Sequence, residues 1–162
     1  MNTSTQADWK KPRLPLTGGC SCASIRYQID SFPLGLYACH CTDCQRQSGS
    51  AFAMTMPVAT LSFSITDGAP KAWRRSVGDA QVTAWICDNC GVRLYGERDV
   101  RPGSLNVRAG TLDDTSWLRP AAHLFMRSAP RWECFADSSI CFETWPDDLK
   151  ATIRSWHALW TD

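Results

Sequence analysis

Residues 38–53 read ACHCTDCQRQSGSAFA, placing Cys39, Cys41 and Cys44 within six residues of one another. Thiolates at this spacing ligate soft metals, zinc above all, and a closed structural zinc takes four ligands. Three thiolates leave one coordination position for water or substrate, the arrangement that separates catalytic from structural zinc. Two further clusters recur, Cys20 with Cys22 in GGCSCAS and Cys87 with Cys90 in ICDNCG.

Reach sorts these seven thiols. In a strand, residues i and i+2 share a face, so Cys20 with Cys22, and Cys39 with Cys41, each offer two sulfurs on one side. Cys87 and Cys90 have the spacing of a zinc knuckle, in which Gly91 can adopt positive φ. The expected partition gives Cys20, Cys22, Cys87 and Cys90 a closed structural site and leaves Cys39, Cys41 and Cys44 the open one. The other split, with Cys20, Cys22, Cys39 and Cys41 closed and Cys44, Cys87 and Cys90 open, stays available from the sequence. So does a single zinc site with several unligated thiols.

The elements that must position these residues read mostly as short strands. SIRYQI alternates apolar and polar residues, and AFAMTMPV, LSFSI, VTAWIC and VRLYG suit strands, with turn signals at Gly18-Gly19, Asp67-Gly68 and Gly78-Asp79. The tail differs: Leu149, Ile153, Trp156 and Trp160 repeat at helical spacing after Pro146, Asp147 and Asp148, which predicts a C-terminal amphipathic helix. That stripe is expected to pack on the chain's own sheet rather than on a partner.

Length and charge narrow the function. At 162 residues the chain suits one domain, and Lys+Arg 17 against Asp+Glu 16 gives a formal net charge of +1. Without a basic run there is no electrostatic support for a nucleic-acid or anionic-membrane role, so a small-molecule partner is expected. The N-terminal segment has no apolar run resembling a signal peptide, and no stretch approaches a membrane span; the expectation is a soluble cytoplasmic protein, monomeric or homodimeric. Nine cysteines in a reducing compartment argue for metal ligation over disulfides, and an odd number leaves one unpaired.

The motifs GGCSC, CHCTDCQRQSGSAFA, CDNCGVRLYG, RAGTLDD, HLFMRSAPRW and FETWPDD occur in the order of the glutathione-dependent formaldehyde-activating family, which also includes the domain of centromere protein V. The chain resembles that family over roughly residues 17–147. The resemblance implies a mainly β, Mss4-like β-tent of two antiparallel sheets around zinc, with a C-terminal α-helix added here. Together with the tail read above, the expected organisation is residues 1–16 as an N-terminal extension, 17–147 as the zinc-binding domain and 148–162, beyond the family resemblance, as an amphipathic helix packed on it. Carried over by position, the resemblance implies structural zinc on Cys20, Cys22, Cys87 and Cys90 and catalytic zinc on Cys39, Cys41 and Cys44, two ions per chain. It also implies a carbon-sulfur lyase or synthase acting on thiol-aldehyde adducts, with glutathione or another small thiol as co-substrate. A trio of thiolates on zinc has a net charge of −1, which weakens its pull on water but permits exchange with a soft sulfur ligand, so a substrate thiol is the natural fourth ligand.

Other residues follow. Arg46 is a candidate for gripping a substrate carboxylate. Gly49 and Phe52, in SGSAF, are candidates for backbone approach and a pocket wall. His40 is expected to face away from the Cys39 and Cys41 side and to pack behind it, and His123 to be a satisfied, partly buried histidine. Asp113 and Asp114 read as turn acceptors, and Cys134 and Cys141 as buried thiols. Two competing classes remain: a non-catalytic zinc module binding a macromolecule, and a thiol redox enzyme using a free low-pKa cysteine.

Overall fold

The computed structural model describes residues 10–135 and 140–160, so the residues 1–9 of the expected extension and residues 161–162 of the expected helical segment lie outside it. In chain order it has β1 (Leu16–Gly19), β2 (Arg26–Ile29), β3 (Tyr37–Cys39), α1 (Thr42–Ser48), β4 (Ala53–Ala59) and β5 (Phe63–Asp67). Then follow β6 (Lys71–Val77), β7 (Ala80–Ile86), β8 (Arg93–Arg98), β9 (Ser104–Arg108), β10 (Ala122–Leu124), β11 (Ile140–Phe142) and α2 (Leu149–Ala158). The strands form a three-stranded sheet, β1-β2-β5, and an eight-stranded sheet, β11-β10-β3-β4-β9-β8-β7-β6.

The protein is therefore mainly β, with two sheets and a C-terminal helix. Pairing is antiparallel except at one end of the large sheet, where β10 runs parallel to both β3 and β11. Each of those pairs is separated in the chain by the dozen or more residues that a parallel crossover needs. The sheets share one core: Tyr27 and Ile29 of β2 are buried with Met56 and Val58 of β4, Leu94 of β8, and Leu105 and Val107 of β9. Alternation along each strand decides which residues enter it. A smaller cluster, built from Tyr37, Cys39, Ala122 and Leu124, lies under the cysteine trio.

Three local features differ from the sequence expectation. Gly18 and Gly19 end β1 rather than forming a turn; a Cβ on Gly18 would sit 2.4 Å from the Tyr27 ring and 2.5 Å from the Thr111 carbonyl oxygen, so the glycine admits a close packing partner. Residues 42–48 form a helix, α1, none of whose residues is buried, so no apolar periodicity announces it. In α2 the buried residues are Thr152 and Trp156, while Ile153 is 40% exposed. The stripe is thus rotated by part of a turn, because Trp156 sets the contact: its ring lies 5.6 Å from Phe32 and its indole N–H donates to the Pro33 carbonyl at 3.1 Å. Asp148 caps the helix by accepting from the Lys150 N–H at 2.8 Å.

Candidate functional site

Two distant turns bring the first cluster together. In the turn after β1, the Cys20 N–H donates to the Ile25 carbonyl and the Ala23 N–H to the Cys20 carbonyl, both at 3.1 Å, with Ala23 at φ 60. In the turn between β7 and β8, the Cys87 N–H donates to Val92 at 2.9 Å and the Gly91 N–H to Cys87 at 2.8 Å, with Gly91 at φ 74. Both arms carry a register irregularity beside the turn, between Arg26 and Tyr27 and between Trp85 and Ile86, of the kind that re-aims a strand end. The Sγ atoms of Cys20, Cys22, Cys87 and Cys90 lie within 4.8 Å of one another. Ser24 Oγ sits among them, 3.0 Å from Cys22 Sγ and 3.3 Å from Cys87 Sγ. Its hydrogen bond draws the Cys22 thiol down to about 5, and a hydrogen bond from Ser21 brings Cys90 to about 7. Four thiols converging on one point, two of them, Cys22 and Cys90, drawn toward the thiolate, suit a tetrahedral thiolate-bound zinc.

The second cluster is local. Cys39 ends β3, Cys41 is the N-cap of α1 and Cys44 lies in its first turn; their Sγ atoms also lie within 4.8 Å of one another. Cys41 Sγ accepts from the Cys44 N–H at 3.4 Å, so the capping bond fixes the loop as it aims the sulfur. Hydrogen bonds from the Cys39 and Cys44 thiols bring Cys41 down to about 2, and the same pairing, together with burial, pushes Cys39 up. Three convergent thiols, one of them readily a thiolate, fit a zinc that keeps a position free.

His40 lies behind this trio, fully buried. Its Nε2 is 3.0 Å from His123 Nδ1, its ring packs against Phe52 at 5.2 Å, and its carbonyl accepts from the Gln45 side-chain amide at 2.7 Å. Its Nδ1 lies 3.3 Å from Glu133 Oε2, outside hydrogen-bond geometry. Burial and the neighbouring His40 lower His123 to about 4, and burial lowers His40 as well.

The trio opens into a cavity of about 500 Å³. Tyr37, Phe125 and Trp145 wall one side; five arginines, Arg75, Arg93, Arg98, Arg108 and Arg127, line the remainder with only two acids, Asp43 and Glu97. Asp43 is held by Arg75 at 2.8 Å, and Glu97 accepts from the Trp85 indole N–H at 2.9 Å.

The three substrate-contact candidates fall elsewhere. Arg46 is exposed on α1 and is not among the cavity-lining residues. Gly49 is the left-handed C-cap of α1 at φ 60, and its glycine is explained by that turn. Phe52 packs on His40 and likewise does not line the cavity. Cys134 and Cys141 are exposed, not buried. Asp114 Oδ1 does accept from the Ser116 N–H at 2.9 Å, whereas Asp113 pairs with Arg26. The arginines that do line the cavity come from β6, β8, β9 and the segment after β10, so no local spacing marks them.

Comparison with known proteins bears on this arrangement. The profile of the family described as glutathione-dependent formaldehyde-activating enzyme matches residues 15–128. The chain belongs to this family. A relative from Emericella nidulans, provisionally named a glutathione-dependent formaldehyde-activating enzyme, is 36% identical over 97 residues, 56% of this chain and 47% of the relative. One from Penicillium rubens with the same provisional name is 33% identical over 116 residues, 67% of this chain and 59% of the relative. The chain's matches thus span roughly half the length of these relatives. The fold is similar to that of a crystal structure of a Rhodobacter sphaeroides protein, with a TM-score of 0.51, 18% identity, and coverage of 64% of this chain and 91% of that one. The glutathione-dependent formaldehyde-activating match contains both cysteine clusters, and α2 lies beyond it.

Proposed function

We propose that the protein catalyses formation and cleavage of the carbon-sulfur bond between a small thiol, with glutathione the first candidate, and formaldehyde or a related aldehyde. The observation that carries this reading is the convergence of Cys39, Cys41 and Cys44 on a cavity large enough for a small peptide, a trio one ligand short of a closed site. The name of the family and the names of its relatives support the choice of thiol and aldehyde. Zinc held by this trio would supply a Lewis-acidic position that accepts a thiolate and stabilises the sulfur's negative charge.

The chain's own residues set the conditions. In the forward direction a sulfur-carbon bond forms and the carbonyl oxygen gains the proton that the thiol loses; cleavage is the reverse. The cap bond to Cys41 and the burial of Cys39 hold two sulfurs fixed before substrate arrives, so little ordering is left to the binding step. His40 supports the turn from behind through His123 and Phe52. The ring wall of Tyr37, Phe125 and Trp145 excludes water from one side of the reacting atoms. Cys20, Cys22, Cys87 and Cys90 take the structural role, holding the β1–β2 and β7–β8 turns together.

The test is exchange spectroscopy by NMR on glutathione mixed with formaldehyde. Zinc-loaded protein is expected to accelerate exchange between glutathione and its S-hydroxymethyl adduct, and Cys44→Ser to abolish the acceleration while remaining folded. Exchange at the uncatalysed rate with fully loaded wild-type protein would contradict the reading.

A further inference from the structure

Inside the cavity, one pair of cations has no carboxylate partner among the described residues, and the negative charge within its reach is that of the cysteine trio, through Cys44. Arg93, on β8, and Arg108, at the end of β9, both donate to the same atom, the amide oxygen of Gln47 on α1; the Arg108 contact is 3.3 Å, and Arg108 also reaches Thr55 Oγ1 at 3.5 Å. Two guanidinium groups of like charge thus converge on a neutral acceptor. Like charges at short range repel, the more so away from water, and a carboxylate is the partner whose two oxygens match their forks. The Nε of Arg93 is buried with no hydrogen-bond partner, so donor capacity remains unused. Neither cavity acid relieves the pair, since Asp43 is taken by Arg75 and Glu97 by Trp85.

The Arg93 head group lies against Gly96, where a Cβ would sit 2.7 Å from Arg93 Nη2 and would push the flexible guanidinium aside. Burial and the neighbouring Arg108 together lower Arg93 to about 10. The cavity wall has five guanidiniums against two carboxylates among the described residues, and a zinc-loaded trio with its net charge of −1 would still leave an excess of two positive charges.

We propose that Arg93 and Arg108, joined through Gln47, form a carboxylate seat that selects, among thiols able to reach the cysteine trio, those carrying a carboxylate away from the sulfur. The inference rests on the thiol reading above and narrows it: peptide thiols such as glutathione are accepted, and thiols without a carboxylate are poor ligands. Gln47 then acts as a placeholder whose amide oxygen occupies the seat until the substrate carboxylate displaces it.

Calorimetric titration of zinc-loaded protein with glutathione, its dicarboxamide, cysteamine and S-methylglutathione tests this. Wild-type protein should bind glutathione at least about tenfold more tightly than the dicarboxamide, the least expected for a lost charge-assisted bond. Arg93→Gln should erase that difference and leave affinity for cysteamine and the zinc content unchanged. Gln47→Glu places a carboxylate in the seat from an exposed helix position, so it should raise the melting temperature and weaken glutathione binding while sparing cysteamine. Equal affinity of wild-type protein for glutathione and its dicarboxamide would overturn the seat, as would a uniform loss across the panel in both variants. S-methylglutathione separates the two readings. If it binds through Arg93 and glutathione binding ignores Cys41→Ser, the seat stands and the thiol reading falls; if glutathione binding needs Cys41 but not Arg93, the thiol reading stands and the seat falls.

Discussion

Cys41 serves the backbone and the site with the same atom: its sulfur caps α1 through the Cys44 N–H and completes the trio with Cys39 and Cys44. The two tasks separate under substitution. Serine is among the preferred N-caps, so Cys41→Ser should keep α1 and change stability by less than about 0.5 kcal/mol beyond the effect of any lost metal, whereas Cys41→Ala forfeits about 1 kcal/mol more. The difference between the thermal melts of the two variants, each keeping the ion at Cys20, Cys22, Cys87 and Cys90, measures the cap alone, and metal analysis should find the trio's ion lost from both. The trio was legible in the sequence because three thiols lie within six residues. The arginines were not: Arg75, Arg93 and Arg108 are brought together only by strand pairing across β6, β7, β8 and β9, and a lone arginine in a strand announces no partner.

The two helices show how far local pattern reaches. α2 was readable because its apolar residues repeat and Asp148 caps it, yet the buried face is set by what lies beneath. Phe32, Pro33 and Trp117 receive Trp156, which turns Thr152 inward and leaves Ile153 exposed. Trp156→Ala should therefore cost about 3–5 kcal/mol and Ile153→Ala less than about 0.5 kcal/mol, read as shifts in urea midpoint. Comparable losses for both would mean that the helix packs through the stripe read from spacing alone. α1 had no such signal, since nothing on it is buried; its cues were Cys41 at one end and Gly49 in the left-handed region at the other. An ion pair from Asp43 to Arg75 and the Gln45 bond to the Ser128 carbonyl, both long-range, hold it in place.

At the scale of the molecule the two cysteine clusters do different mechanical work. Cys20 and Cys22 meet Cys87 and Cys90 across more than sixty residues of chain, from turns belonging to different sheets, as the separation of 65 positions between Cys22 and Cys87 shows. A metal at that point closes a long loop, and structural zinc contributes about 10–16 kcal/mol to the folding of small zinc domains. Cys39, Cys41 and Cys44 lie within six residues, from the end of β3 to the first turn of α1, and bridge nothing distant. Under reducing conditions Cys87→Ser is expected to unfold the protein or lower its melting temperature steeply. Cys44→Ser is expected to stay folded with one zinc fewer. Circular dichroism melts with metal analysis check this, and the reverse outcome would exchange the structural and reactive roles.

The central claim, that a substrate thiol fills the position left free by Cys39, Cys41 and Cys44, is tested most directly by cobalt substitution. Thiolate-to-cobalt charge-transfer absorption reports the number of sulfur ligands at the metal. Adding glutathione to the cobalt-loaded protein should intensify that absorption to the level of a four-thiolate site, with no change in Cys41→Ser. An unchanged spectrum at saturating glutathione in the wild-type protein would contradict the account.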